Sequence, residues 1–420
     1  MAVFYVNRYC SHNNEQSLTH VFSDWAAPAK GDTMTTILYV LILVAFMDTF
    51  IQLPIITPYA QELGASNVLT GSIIAVYSLA NMAGNVFGGY WIDRFGRKKM
   101  LLTAMTAAAA VLLLYPLAGS GEQLFSIRFL HGLAGGILIP AAFAYVGDKT
   151  VPENRGRKMA YTGAAIGIAA IIGPALGGGI AASAETEYVF IFTAVLFAVT
   201  VFFASRYLHE SFSPPERGKV SLQDFGPVLK EPAIFKAALT AFALMISNGT
   251  LAFALPLKIE GAGYSSAFTG ALLSVYGVVA LIVFLTPLNR VFDRVHPVPL
   301  MIAGMIMIGA SMIMLSYFQL LIVIILAMVV YGSGFAFVFP SMNRMVADAS
   351  SAVDRGKAYG IFYSAFSLGV VSGSFLSGAV TEWFGLPFLF ASVMILSFAF
   401  LLFSLHHRTD GWRRNSIIRS

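Results

Sequence analysis

The feature that most restricts this chain is a series of long stretches with no charged residue at all. Val68–Ile92, Leu101–Gly121 and Ala358–Thr381 are three of them. A helix that crosses the hydrocarbon core of a bilayer needs about 20 mainly apolar residues, whereas a barrel strand needs about ten with polar alternation. The lengths here fit helices. Composition agrees: of 420 residues, 57% are hydrophobic and 11% charged, against about 25% charged in a soluble domain. A water-facing surface could not be covered with so few charges. In lipid the backbone must bond to itself, as it does within helices. The expected fold class is all-α and integral to the membrane, with the lipid bilayer as the chain's principal partner.

Twelve spans are read, at about 36–58, 68–91, 100–118, 123–146, 159–182, 188–207, 236–257, 266–288, 299–316, 320–343, 358–380 and 385–405. The ninth and tenth are parted only by Ser316–Gln319. Placing both termini in the cytoplasm puts 24 of the 26 Lys and Arg in cytoplasmic tails and loops, all but Arg128 and Lys258. This is the asymmetry of the positive-inside rule. The same loops account for the pI of about 9.2, so the basic balance does not imply a nucleic-acid partner. One cysteine, Cys10, excludes an internal disulfide.

The organisation follows from the longest inner connection. Residues 208–235 contain Glu210, Pro214, Pro215, Glu216, Arg217 and Lys219, with a short interfacial helix expected near Leu222–Leu229. They separate a bundle of six spans at 34–207 from a second at 236–405. Residues 1–33 are polar and lack a signal peptide's apolar core. Two readings of them are open, a cytoplasmic tail or a chain that starts at Met34, and neither gives the segment a role in transport. Residues 406–420 form the other cytoplasmic tail. The two bundles repeat each other at an offset of about 200. Asp93-Arg94 recurs as Asp293-Arg294, Gly132 and Pro140 as Gly332 and Pro340, Asp148 as Asp348, Gly173 and Gly178 as Gly373 and Gly378, and Val76-Tyr77 as Val275-Tyr276. Duplication predicts two pseudo-symmetric six-helix bundles facing each other across a central site.

The loop after the second span reads Gly89-Tyr90-Trp91-Ile92-Asp93-Arg94-Phe95-Gly96-Arg97-Lys98-Lys99. This G-x-x-x-D-R-x-G-R-[RK] pattern, at this place, resembles the signature of the major facilitator superfamily, and the resemblance covers 36–405. A plain positive-inside loop would explain Arg97, Lys98 and Lys99 but not Gly89, Asp93 and Gly96 at these spacings. The resemblance implies a conformational gate: the acid faces the start of the eleventh helix, here near Arg355–Ala358, whose N-terminus attracts a carboxylate. The fifth span holds Gly173-Pro174 and Gly177-Gly178-Gly179. This G-P-x-x-G-G core resembles a motif of the family's proton-coupled drug exporters, with Ala169 where the family has a further Gly. Small residues also let membrane helices pack closely, which suits an interface that rocks.

Charges inside a bilayer are costly, so each is a candidate site. Only Asp48 and Arg128 lie well inside spans. Arg128-Phe129-Leu130-His131-Gly132 resembles the family's R-x-x-x-G element, whose Arg supports proton coupling in antiporter relatives. Asp48 precedes Pro54 by six residues, where several such antiporters carry a membrane acid. Two readings of Asp48 stay open: it carries the coupled proton, or it forms a structural ion pair with Arg128. His131, alone on its helix, reads more as a packing or hydrogen-bonding residue than as a proton relay, and both readings stay open.

Candidates for substrate contact are Gln52, one turn beyond Asp48, and Tyr77, Asn81 and Asn85, which share one helical face. Asn248, Tyr276, Tyr331 and Tyr363 are weaker candidates in the second half. Among 35 Phe residues, Phe335, Phe337 and Phe339 lie near Pro340. One acid among aromatics suits amphipathic or cationic solutes. No nucleotide-binding loop, hydrolase pattern or metal-ligand spacing is present, so neither cofactor nor metal is expected and the chain does not read as an enzyme. The reading is a monomeric transporter of the cell membrane that exports small molecules in exchange for protons by alternating access. A metabolite importer, a metallophore exporter and a lipid flippase share the fold and stay open.

Overall fold

The computed structural model describes residues 33–148, 155–211, 225–350 and 354–418. Among these the chain is helical, with twelve long helices. The first six are α1 (Thr33–Ile51), α2 (Asn67–Phe95), α3 (Arg97–Leu112), α4 (Gly121–Asp148), α5 (Arg155–Ser183) and α6 (Glu187–Tyr207). The second six are α7 (Pro232–Gly261), α8 (Ser266–Leu285), α9 (Pro297–Tyr317), α10 (Leu321–Ala349), α11 (Arg355–Phe384) and α12 (Pro387–Ile418). Ten are long and apolar enough to cross a membrane, and α1 with its continuation makes an eleventh. The twelfth, α2, is 29 residues long, and its Asn81 and Asn85 lower its hydropathy.

The packing is pseudo-symmetric. In the first half α1 packs on α4, α5 and α6, α2 on α4, and α3 on α4 and α6. In the second, α7 packs on α10, α11 and α12, α8 on α10, and α9 on α10 and α12. Each pair has its counterpart six helices later. The halves meet chiefly through α2 against α11 and α5 against α8, again related by the same exchange. Several hydrogen bonds between described residues join the halves. Asn67 N–H donates to Glu382 Oε2 at 3.2 Å, the Thr57 hydroxyl to the Ala252 carbonyl at 2.9 Å, and Ser266 and Ser274 to the Gly178 and Ile171 carbonyls at 3.1 and 2.6 Å. These lie from the middle of the bundle to the end away from the chain termini, so the halves are shut there.

The first span departs from the expected single helix. It breaks after Ile51 and resumes at Ile56–Glu62, bent by 48°. Pro54 has no N–H to offer the Phe50 carbonyl, and Leu53 takes it instead at 3.3 Å. Proline also ends the eighth span early: α8 stops at Leu285, and Pro287–Arg290 forms a 3-10 turn before a short helix at Val291–Arg294. The expected interfacial helix is present as Phe225–Leu229, while 212–224 lie outside the described residues, as do 1–32 of the N-terminal tail. At the other end the apolar span runs Pro387–His407, matching the expected end near 405, and the helix itself continues to Ile418.

Candidate functional site

The break in α1 sits beside a buried polar cluster. Asp48 is 2% exposed, Arg128 6% and His131 0%, all on α1 or α4. Gln52, one turn past Asp48, bridges them. Its Nε2 donates to Asp48 Oδ1 at 2.7 Å and to the Asp48 carbonyl at 3.0 Å, while its Oε1 accepts from Arg128 Nη1 at 2.7 Å. The other carboxylate oxygen, Oδ2, lies 3.1 Å from His131 Nε2. That contact is at ion-pair distance but off the line of a directed hydrogen bond, and Nε2 has no other partner.

Tyr115, in the 3-10 turn Tyr115–Leu117 after α3, closes the ring. Its hydroxyl lies 2.9 Å from His131 Nδ1 and accepts from Arg128 Nη1 at 3.3 Å. A neutral imidazole with its proton on Nε2 turns that proton toward Asp48 and lets Tyr115 O–H donate to Nδ1. Tyr115 is itself fixed by stacking on Phe190 at 4.2 Å and by the Tyr59 hydroxyl, which donates to its carbonyl at 2.8 Å. Arg128 lies over the Tyr77 ring, with Cζ 4.2 Å from the centroid, and its Nε has no hydrogen-bond partner.

The structure thus brings together Asp48, Gln52, Arg128 and Tyr77. It does not form the direct Asp48–Arg128 pair that the sequence left open; Gln52 stands between them. His131, read from sequence as a packing residue, is the basic group nearest Asp48. Tyr115 carried no signal beyond its place before Pro116. Asn81 and Asn85 are not part of the cluster. They bond each other at 3.0 Å, and Asn81 faces α4 near Gly135. Asn248 and Tyr276 lie in the other half. Chemically the cluster offers a proton acceptor, Asp48 Oδ2, facing the His131 ring beside a permanent cation. With His131 neutral, Asp48 and Arg128 sum to zero; one added proton leaves a single positive charge.

The G-P-x-x-G-G segment packs against the end of α1 beside this site on one face and against α8 on the other. A side chain on Gly173 or Gly177 would collide with Phe50 or with the Ile51 carbonyl, so α5 fits closely against the end of α1. A side chain on Gly178 would overlap the Ser266 carbonyl, and one on Gly270 the Pro174 carbonyl. The same motif therefore also makes the α5–α8 contact between the halves.

At the termini end, Gly89 lies in α2, and the Asp93 side chain falls outside the described residues. Arg94 lies over the Phe95 ring at 5.5 Å. Gly96 turns the chain with φ +99°, and a Cβ there would lie 2.6 Å from Glu210 Oε2. Arg97 Nη1 donates to the Ile92 carbonyl at 3.0 Å, and its Nε pairs with Asp148 Oδ2 at 3.0 Å. In the second half the equivalent carbonyl, Phe292, is held by Arg344 of α10, which also pairs with Asp348 at 3.3 Å.

Glu210 escaped the sequence reading. Its Oε1 accepts from the backbone N–H of Arg97 at 2.9 Å and of Lys98 at 3.3 Å, capping α3. Partial burial pushes its carboxyl up, but backbone donors from Lys98, Arg97, Ser211 and Lys99 outweigh this and hold it below the usual glutamate range. Such a group stabilises the fold above its unfolded range and loses that contribution as pH falls through its folded value. Wild type is therefore expected to melt higher than Glu210→Gln at neutral pH, with the two melting curves converging in acid. Parallel curves across the whole range would remove the charged cap.

The sequence profile described as Major Facilitator Superfamily matches residues 38–286 and 237–417. The chain is 27% identical over 377 residues to "Multidrug resistance protein MdtG" of Escherichia coli O9:H4 (strain HS), covering 87% of this chain and 91% of that one. It is 24% identical over 380 residues to "Multidrug resistance protein 1" of Bacillus subtilis (strain 168), covering 87% and 94%. Among solved structures, the nucleoside transporter NupG superposes with a TM-score of 0.69 at 16% identity, over 89% of this chain and 99% of that one.

Proposed function

We propose, for a chain that belongs to the major facilitator superfamily and is therefore a multi-pass membrane transporter, the export of amphipathic small molecules in exchange for protons. The observation that carries this reading is the Asp48–His131 contact, sealed among α1, α2 and α4 at the break in the first span. A charge there is costly to move through the membrane interior, and a carboxylate sheds that cost by taking a proton. Export is supported by the relatives' names and by the G-P-x-x-G-G segment. Alternating access is supported by the two equivalent interfaces, α2–α11 and α5–α8, which permit rocking about the centre. The loop residues Gly89, Asp93, Arg94, Gly96 and Arg97 form the gate at the termini end. Both termini lie in the cytoplasm of a cell membrane on this reading, so the structure is shut at its outer end.

The test is a panel of toxic amphipathic compounds, cationic and neutral, applied to cells with and without the gene. The gene is expected to raise tolerance to at least one compound, and a proton uncoupler to abolish the accompanying efflux. Efflux that continues at the same rate with the uncoupler would refute proton coupling. Equal tolerance across the panel would refute export.

A further inference from the structure

The buried cluster of the first half has a structural counterpart in the second, with every ionisable group replaced. Asp48 corresponds to Asn248, Gln52 to Ala252, Arg128 to Met328 and His131 to Tyr331, each at an offset of 200, while Tyr77 corresponds to Tyr276. The coordinates support the equivalence independently of the numbering. Gly132 packs against the Tyr77 carbonyl, and Gly332 against the Tyr276 carbonyl. Tyr77 meets His131 edge-on with centroids 5.3 Å apart; Tyr276 meets Tyr331 edge-on at 5.5 Å. The replacements at Asp48, Arg128 and His131 remove the carboxylate, the guanidinium and the imidazole, and Ala252 lacks the amide with which Gln52 bridges the first two. Asn cannot titrate, Met is a long unbranched chain without a cation, and Tyr keeps a polar ring.

What remains is a neutral hydrogen-bonding cluster. The Tyr331 and Ser247 hydroxyls lie 3.1 Å apart and both residues are fully buried. Asn248 interacts with both Tyr276 and Tyr331, and the neighbours that act on these two tyrosines are uncharged, unlike Asp48 and Arg128 beside Tyr77. Asn248 itself is only partly buried. Aromatic rings continue from it: Tyr276 meets Phe335 at 5.9 Å, and Phe335 stacks on Phe339 at 5.3 Å.

We propose that the Asn248–Tyr276–Tyr331 cluster is the non-titrating counterpart of the Asp48 site and that it holds the uncharged hydrogen-bonding group of an aromatic substrate. Proton and substrate polar group are thereby divided between the halves. The proposal rests on the export reading above, in which the central region between the halves takes the solute. An amide donor suits a carbonyl acceptor, and the rings suit the flat body that carries it.

The test is equilibrium binding to the purified full-length protein of two matched pairs. These are benzophenone with diphenylmethane, and (4-acetylphenyl)triphenylphosphonium with tetraphenylphosphonium; each pair differs by a carbonyl acceptor. Wild type is expected to prefer the carbonyl member of at least one pair by about threefold to tenfold, the range of one net hydrogen bond. Asn248→Leu should remove the preference. Asn248→Asp supplies a second measurement that does not depend on how well the leucine variant folds. A protonated carboxyl donates to the carbonyl and an ionised one cannot, so its preference should appear at low pH and vanish as pH rises. Asp48→Asn should keep the preference at all pH values. No preference in wild type, or a preference that survives Asn248→Leu, would overturn the proposal, as would a preference lost in Asp48→Asn. Failure of the proton reading shows elsewhere, as gradient-driven transport persisting in Asp48→Asn, and leaves the carbonyl preference to decide this proposal.

Discussion

Asp48→Asn is expected to reduce substrate movement driven by a pH gradient to the level of empty vesicles, while substrate binding persists. Asparagine matches aspartate in size and can still accept from Gln52 Nε2 at the Oδ1 position, 2.7 Å away. What it loses is the ability to take up and release a proton opposite His131 Nε2. Binding in the wild type should release protons, and the variant should release fewer. The substitution also leaves Arg128 without the nearby carboxylate, and removing one partner of a buried charged set costs up to about 3–5 kcal/mol. Retained binding is therefore the control that the variant is folded. If Asp48 serves only to balance charge, Asp48→Asn combined with Arg128→Gln should recover gradient-driven transport, since no uncompensated cation remains. Full activity in the single variant would remove Asp48 from coupling altogether.

Gly178→Val is expected to shift the conformational equilibrium away from the closed outer end. The new side chain would overlap the Ser266 backbone across the α5–α8 contact, and Ser266 also donates to the Gly178 carbonyl at 3.1 Å. Overpacking of this kind costs about 1–3 kcal/mol, which corresponds to roughly fivefold to a hundredfold in the population ratio. The penalty falls only on the conformation in which the two helices touch. Distances between spin labels on α5 and α8 near this end should lengthen, and substrate supplied from outside should bind more readily. Gly177→Val makes a useful contrast. Its side chain would meet Ile51 of the same half, so it should lower stability without favouring either open state. Unchanged label distances in Gly178→Val would show that the close contact is not part of the transport cycle.

How much of this was legible in the sequence depends on distance along the chain. Helices, their number and the duplication are written in local hydropathy and in spacing, and those expectations match the architecture. The break in α1 was half visible. Pro54 announces it, yet 36–58 reads as one span, because a proline alone does not say whether a membrane helix bends or stops. Asp48 and Arg128 stood out because charge in a bilayer is rare. Their relation did not, because Gln52 can bridge them only once α1 and α4 are placed side by side. His131 was undervalued for the same reason: its partner lies 83 positions earlier in the chain. Glu210 caps a helix that begins 113 residues before it, and no local pattern marks such a residue. The gate at Asp93 stays an expectation from the motif.

The two arginines that hold the carbonyls of Ile92 and Phe292 differ in where they come from. Arg97 belongs to the very loop it secures, whereas Arg344 reaches over from the end of α10. The first junction therefore carries this anchor within itself and the second does not, while Asp148 and Glu210 brace the first from outside. A chimera that carries the α2–α3 loop into another transporter brings its own anchor along. One that carries only the α8–α9 loop leaves its anchor behind on a helix some fifty residues away in the chain, so segment exchange should disturb the second junction more than the first.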